Sequence, residues 1–292
     1  MDKRCEIVIW DVQHGHAAYI KSPNDKHIIV DVGLGSYENN SSTFSPLYHI
    51  WKNYKVKQLD YAILSHPHKD HIEDIFNLDK MNPKVLQRPK HLKREDIITV
   101  ETKEADKPIF EKYLELDKRY CGKFSDNDPT DPSNPDNFGG LVIKTFVPSS
   151  CATSNINNHS VITVLSYARS KIVLPGDNES CSFTELMKNS YFKSSVEDAD
   201  ILLAPHHGRQ AGFDKDFLDL VNPRLTIISD SSKKDTSVIE DYGKQSRGWK
   251  VHSRSGAPSV ERKTLSTYND GHITIHFGYN NNDRVFLSVT KK

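Results

Sequence analysis

Ser65-His66-Pro67-His68-Lys69-Asp70-His71 places three histidines and an aspartate within six consecutive residues, 66 to 71. The run just before it, Leu59-Asp60-Tyr61-Ala62-Ile63-Leu64, is apolar enough for a buried strand. The run just after it, Ile72 to Leu78, has the apolar spacing of a helix. The cluster therefore falls on a strand-to-helix turn, where a sheet can aim several side chains at one point. Imidazole suits zinc, manganese or iron, and the carboxylate adds a harder oxygen donor. The order His-x-His-x-Asp-His points to metal chemistry rather than to a polar turn that happens to be rich in histidine.

Upstream, Glu6–Val12, Ala17–Ile20 and His27–Gly33 read as strands of a meander, one layer of a sandwich. Residues 34–55 read as a loop and an amphipathic helix, with Leu47, Ile50, Trp51 and Tyr54 on one face and Trp51 expected in the core. Downstream, Val85–Pro89 is a further strand and Pro108–Tyr120 a helix. The proline-spaced polar run Asp126–Asp136 is a loop. We read about 91–138 as an insertion over or beside the active site. Strands resume at Leu141–Pro148, Val161–Leu165, Lys171–Asp177, Asp200–Ala204, Arg224–Asp230, Val260–Tyr268 and Gly271–Phe277. A helix over 238–249 turns Val238, Tyr242 and Trp249 inward, and Asp270-Gly271 signals a hairpin.

Further motifs follow the histidine cluster in a fixed order: Asn155-Ile156-Asn157-Asn158-His159-Ser160, Gly176-Asp177 at a strand end, and Pro205-His206-His207-Gly208. With Asp31 closing the third strand, the set resembles the metallo-β-lactamase superfamily over most of the chain. Asp11-Val12-Gln13-His14-Gly15-His16-Ala17 and Pro-His-His-Gly are similar to the branch holding the hydrolase domain of the bacterial competence DNA-uptake channel. The chain departs from that branch with Gln13 in place of a glycine and His16 in place of Asp or Asn, so His14 or His16 either touches substrate or forms a structural turn. The resemblance implies an α/β fold, a four-layer αββα sandwich, in a single domain over 1–292. It implies two divalent metal ions, zinc or alternatively manganese. His66, His68, Asp177 and His159 are expected at one ion, and Asp70, His71, Asp177 and His206 at the other. His159 is open between ligand and turn residue. Asp177 is the anionic bridge that offsets repulsion between two dications. Asp31 is expected behind the ligands, orienting them. Asp70 and His207 are the candidate catalytic residues, His207 as a proton donor, and the choice of His206 over His207 as ligand rests on its place nearer the strand end.

The 292 residues carry 39 basic and 39 acidic side chains, so no net field draws the chain to nucleic acid, although a local basic groove is compatible with that balance. The four scattered cysteines, Cys5, Cys121, Cys151 and Cys181, contain no CxxC pair and read as free thiols of a reducing compartment. No apolar stretch approaches the roughly 20 residues that span a bilayer. The N-terminal residues lead into a strand rather than a signal-peptide core, and the expected location is cytoplasmic. The expected activity is phosphodiester hydrolysis by hydroxide on a dinuclear metal centre, most of all as a nuclease acting on DNA. Lys233, Lys234, Arg254 and Arg262 are candidate phosphate contacts. The alternatives are a small-molecule ester, thioester or lactone hydrolase, and a binding module with a degenerate site, because fold alone does not choose a substrate.

Overall fold

The computed structural model describes residues 3–230 and 237–292; Lys233 and Lys234 lie outside the described residues. The first half of the chain builds β1 (Arg4–Ile9), β2 (Ala18–Lys21), β3 (His27–Val30), β4 (Tyr61–Ile63) and β5 (Val85–Gln87). The middle builds β6 (Val142–Phe146), β7 (Ile162–Tyr167), β8 (Ser170–Leu174), β9 (Ile201–Leu203) and β10 (Leu225–Ile228). The last part adds β11 (Trp249–Ser253), β12 (Val260–Arg262), β13 (Thr264–Ser266), β14 (Ile273–Tyr279) and β15 (Val285–Lys291). One mixed sheet runs β12-β11-β15-β14-β1-β2-β3-β4-β5 and the other β13-β10-β9-β8-β7-β6.

The period-2 alternation of the strands sorts side chains into three apolar layers. Ile7, Ile9, Ile28 and Ile63 of the first sheet meet Ile143, Leu165, Ile172 and Ile227 of the second in a common core. The opposite face of the first sheet, with Val8, Tyr19, Ile29 and Ala62, is covered by helical residues such as Leu47, Ile75, Leu78, Tyr113 and Leu116. The outer face of the second sheet, with Val164, Val173 and Leu202, is covered by Phe183, Phe192, Phe217 and Tyr242. Helix, sheet, sheet, helix is the expected αββα sandwich.

Four local expectations are corrected. Trp51 is not in the core: Tyr48, Trp51 and Tyr54 are 52%, 42% and 42% exposed, while Leu47 and Ile50 are buried. The helix Pro46–His49 widens into a π-helical turn over Ile50–Tyr54, which breaks the α-helical register that would have kept all four on one face. Asp270-Gly271 is not a hairpin turn; Thr267–Asp270 is a short helix, and Gly271 (φ +66°) lets the chain cross from β13 in one sheet to β14 in the other. The strand expected over Val260–Tyr268 is broken likewise, β12 pairing with β11 and β13 with β10. The cysteines are not all free: Cys151 and Cys181 form a disulfide, leaving buried Cys5 and exposed Cys121 as thiols. The cysteines thus give no argument for a reducing compartment. No helix among the described residues is long and apolar enough to cross a membrane.

Candidate metal centre

Six strands deliver side chains to one end of the sandwich. The segments after β1, β3, β4, β8, β9 and β10 supply His14 and His16, Asp31, Ser65 to His71, Asp177, His207 and Ser229 respectively. Two strand ends meet at Asp31, whose backbone is left-handed (φ +58°) and whose N–H donates to Ile63 O at 2.8 Å. Its fully buried carboxylate accepts from Ser65 N (2.6 Å), Ser65 Oγ (2.8 Å), His71 Nδ1 (2.8 Å) and His16 Nδ1 (3.0 Å). Burial works against ionisation of Asp31, but His71 and His16 hold its carboxyl well below the usual range. Gly15 packs against the Asp70 carbonyl so closely that a Cβ there would lie 2.2 Å from the oxygen, which is why the Asp11–Ala17 turn has glycine at that point.

These partners fix the tautomers of three imidazoles. Asp31 can only accept, so His71 Nδ1 carries the proton and its Nε2 presents a lone pair. His207 Nδ1 donates to the Ser229 carbonyl at 3.0 Å, so its Nε2 also presents a lone pair. Ser65 Oγ gives its proton to Asp31 and accepts from His66 Nδ1 at 3.1 Å, so His66 Nε2 presents its lone pair towards His68 Nδ1. The His71 and His207 Nε2 atoms then face each other at 3.3 Å. Asp177 lies 3.2 Å from the first and 3.3 Å from the second, with Asp70 3.3 Å from His207. Two lone pairs and two carboxylates converge there with no donor between them, an arrangement that calls for protons or cations. Accordingly, although burial opposes it, Asp177, Asp31 and Asp70 lift His71 well above the usual imidazole range. His207 is lifted in the same way to about 10 by Asp177 and Asp70. His66, in contrast, is pushed well below the usual range by burial and by its histidine neighbours.

The donor set fits divalent metal ions. His66, His71 and Asp177 form one gathered group, and His14, Asp70 and His207 a second. Asp177 reaches His66 (3.9 Å), His71 and His207, and so stands between the two groups. His68 is adjacent, its Nδ1 2.9 Å from His66 Nε2.

His206 stands nearer the strand end in the sequence, but it is His207 whose Nε2 lies 3.3 Å from both Asp70 and Asp177. The strand direction does not persist past Pro205, because both histidines adopt left-handed backbone (φ +47° and +54°) before Gly208. His207 turns into the site, whereas the His206 ring lies 3.1 Å from Glu179. His159 is fully buried, with Nδ1 2.8 Å from His91 Nε2 and no partner at its own Nε2, but it stands outside the gathered groups. His16 serves Asp31 rather than the mouth, while the ring of half-exposed His14 lies tilted against His207, with centroids 4.9 Å apart. Arg254 is bonded to His272 O and Thr274, and Arg262 lies 3.6 Å from Asp270, so both are engaged away from this site.

Sequence reasoning missed Ser65, Ser229 and Glu179. Ser65 and Ser229 act through one hydroxyl and one carbonyl, which no motif marks. Glu179 accepts from Asn155 (2.8 Å) and Asn157 (3.1 Å), and its position two residues after Asp177 was the available signal. The Cys151–Cys181 bridge ties the same two segments together. An open groove of about 670 Å³ runs beside His68, between the 95–110 segment and the 153–156 turn, and Glu95, Asp96, Glu101 and Asp106 lie along it with Lys103.

No protein-family model matches the chain, and no curated protein matches it. Among solved structures it is similar to the CmlA beta-hydroxylase E377D mutant, with TM-score 0.44 and 9% identity over 77% of this chain and 46% of that one. It is also similar to a long form RNase Z from yeast, with TM-score 0.36 and 11% identity over 80% of this chain and 38% of that one. The chain spans less than half the length of either structure.

Proposed function

We propose that this protein is a metal-dependent phosphodiesterase, acting as a nuclease from a single domain. The observation that carries the metal-dependent reading is the convergence of the His71 and His207 lone pairs on Asp177 at 3.2 and 3.3 Å, with Asp70 3.3 Å from His207 and 3.9 Å from His71. The phosphodiester class draws on the resemblance of Asp11–Ala17 and Pro205–Gly208 to the DNA-uptake branch.

His66, His71 and Asp177 would hold one ion, with His68 beside them, and Asp70, His207 and Asp177 the other. Two such ions supply Lewis acidity and bring the pKa of a bound water towards neutrality. Asp31 and Ser229 keep His71 and His207 in the tautomer that offers Nε2, so no ring must reorient when a ligand arrives. Ser65 does the same for His66. Asp70, at the edge of the group, faces both His207 and the opening towards His14 (3.8 Å), where it orients a nucleophile by accepting its proton. His14, half exposed over His207, is placed to meet the substrate as it enters.

A second reading, hydrolysis of a small ester, thioester or lactone, draws on the carboxylates along the groove beside His68, which disfavour a polyanion there. A panel of bis-p-nitrophenyl phosphate, single-stranded DNA, RNA and p-nitrophenyl esters, run with zinc and with manganese, separates the two. Turnover of the phosphodiesters that is lost in Asp177→Asn supports the first. Turnover of esters alone replaces it with the second.

A further inference from the structure

The helical layer that continues from the metal loop carries a feature the hydrolytic centre does not use. Tyr48 and Trp51 stack on the surface with ring centroids 5.6 Å apart and planes 29° apart. Lys57 lies over the Trp51 ring at 4.6 Å and Lys52 over the Tyr48 ring at 5.8 Å. A cavity of about 230 Å³ opens beside them, with Leu47 and Met81 as apolar lining and Lys57 and Lys80 at its border. Residues 39–59 contain Lys52, Lys55 and Lys57 and no Asp or Glu, in a chain whose overall charge is zero. No ion pair joins any of these three lysines to a carboxylate among the described residues.

Aromatic rings in the core would be explained by packing. Trp51 is held outward by the π-helical turn over Ile50–Tyr54, a rare geometry that is enriched at functional sites, and Tyr48 meets it from the preceding helix Pro46–His49. Flat ring faces bordered by flexible cations suit a ligand that is both planar and anionic. Successive bases of a single strand stack on aromatic faces without regard to sequence, and lysines take the phosphates between them. The lysines now resting on the two rings can give up those faces to bases and keep their charges for the backbone.

We propose that the Tyr48–Trp51 platform is a binding site for single-stranded nucleic acid, separate from the hydrolytic centre. The choice of a nucleic-acid strand over other planar anions rests on the phosphodiesterase reading. The platform adds cationic surface to that of the groove beside His68, where Lys103 stands among four carboxylates, so a long substrate is gripped on the lysine-rich face while one phosphodiester is presented to the metal centre. Insertion into a membrane surface, the other habit of exposed aromatics among lysines, suits it less, because about half of each ring already lies against the protein.

The test uses the full chain and a fluorescein-labelled 15-nucleotide oligothymidylate in EDTA, so that binding is read without cleavage. Trp51→Ala should weaken binding about 5- to 150-fold, the range for losing one stacked base, and Trp51→Phe should restore most of it. Binding should quench the fluorescence of the wild type more than that of Trp51→Phe, since Trp10 is buried and Trp249 lies away from the platform, in β11 under Arg224. Lys52→Gln and Lys57→Gln should each flatten the dependence of log affinity on log salt by about 0.7. Turnover of bis-p-nitrophenyl phosphate, too small to reach the platform, should be unchanged in all four variants. Trp51-dependent binding in a protein that cleaves no phosphodiester would leave the platform standing and remove the proposed activity. Equal oligonucleotide affinity in wild type and Trp51→Ala overturns the proposal. So does Trp51-dependent binding to vesicles of phosphatidylserine and phosphatidylcholine that the oligonucleotide cannot compete.

Discussion

Cys181→Ser removes the bridge to Cys151, 30 residues away along the chain. In the chain-entropy account, a cross-link closing a loop of that length stabilises the native state by about 3.6 kcal/mol, by restricting the unfolded chain. With a urea m-value of about 3 kcal/mol/M, the upper end for small domains, that is a fall of about 1.2 M in the midpoint with m little changed. Reduction of the wild type with dithiothreitol should give the same fall, and reduction of the variant no further one. Thiol titration in denaturant gives an independent reading. The unreduced wild type should show two reactive thiols, Cys5 and Cys121, rising to four after reduction. Four thiols before reduction, or a midpoint that moves by less than about 0.3 M, would refute the bridge as a stabilising element. Metal content should fall little in the variant, because Glu179 still holds Asn155 and Asn157 across the same junction.

His207→Ala should lower metal content by about one equivalent of two and His206→Ala should leave it unchanged, measured by elemental analysis after gel filtration; the reverse would restore His206 as the ligand. Asp31→Ala strands the buried Ser65, His71 and His16 donors and should cost about 3–5 kcal/mol in urea unfolding, with metal affinity reduced about 10- to 100-fold. Asp74 is buried against Ser45 and Asn77, and desolvation raises its carboxyl to about 6. Between its unfolded value of 3.8 and about 6, the folded state keeps a proton the unfolded chain has released, so stability falls as pH rises through that window. Asp74→Asn should therefore gain about 2–3 kcal/mol on the wild type at pH 8 and little at pH 4; equal differences at both pH values would show that folding does not raise the Asp74 carboxyl.

Much of the architecture is legible in the chain because period-2 alternation is a local property. Cys5, Ile7 and Ile9 against Val8 already sort the two faces of β1. Errors fall where backbone conformation departs from the repeat. The π-helical turn carries Trp51 out of the core, and Gly271 carries the chain between sheets where a hairpin signal stands. Ser65 and Ser229 were invisible for another reason: their contribution is one hydrogen bond each to a histidine, and serine is common in turns.

By itself the sequence determined which donor atoms exist and in what order the strand ends present them, since Asp31, His66 to His71, Asp177 and the 206–207 pair each follow an apolar run. Only the tertiary structure decided which atoms meet. His71 and His207 are 136 residues apart, and Cys151 is 30 residues from Cys181. Such pairs are joined by the packing of two sheets on one core, a long-range burial that no local pattern encodes. The tautomers followed from the same packing, because a lone pair at Nε2 is fixed by whatever the other nitrogen touches, and those partners arrive from β3, β4 and β10.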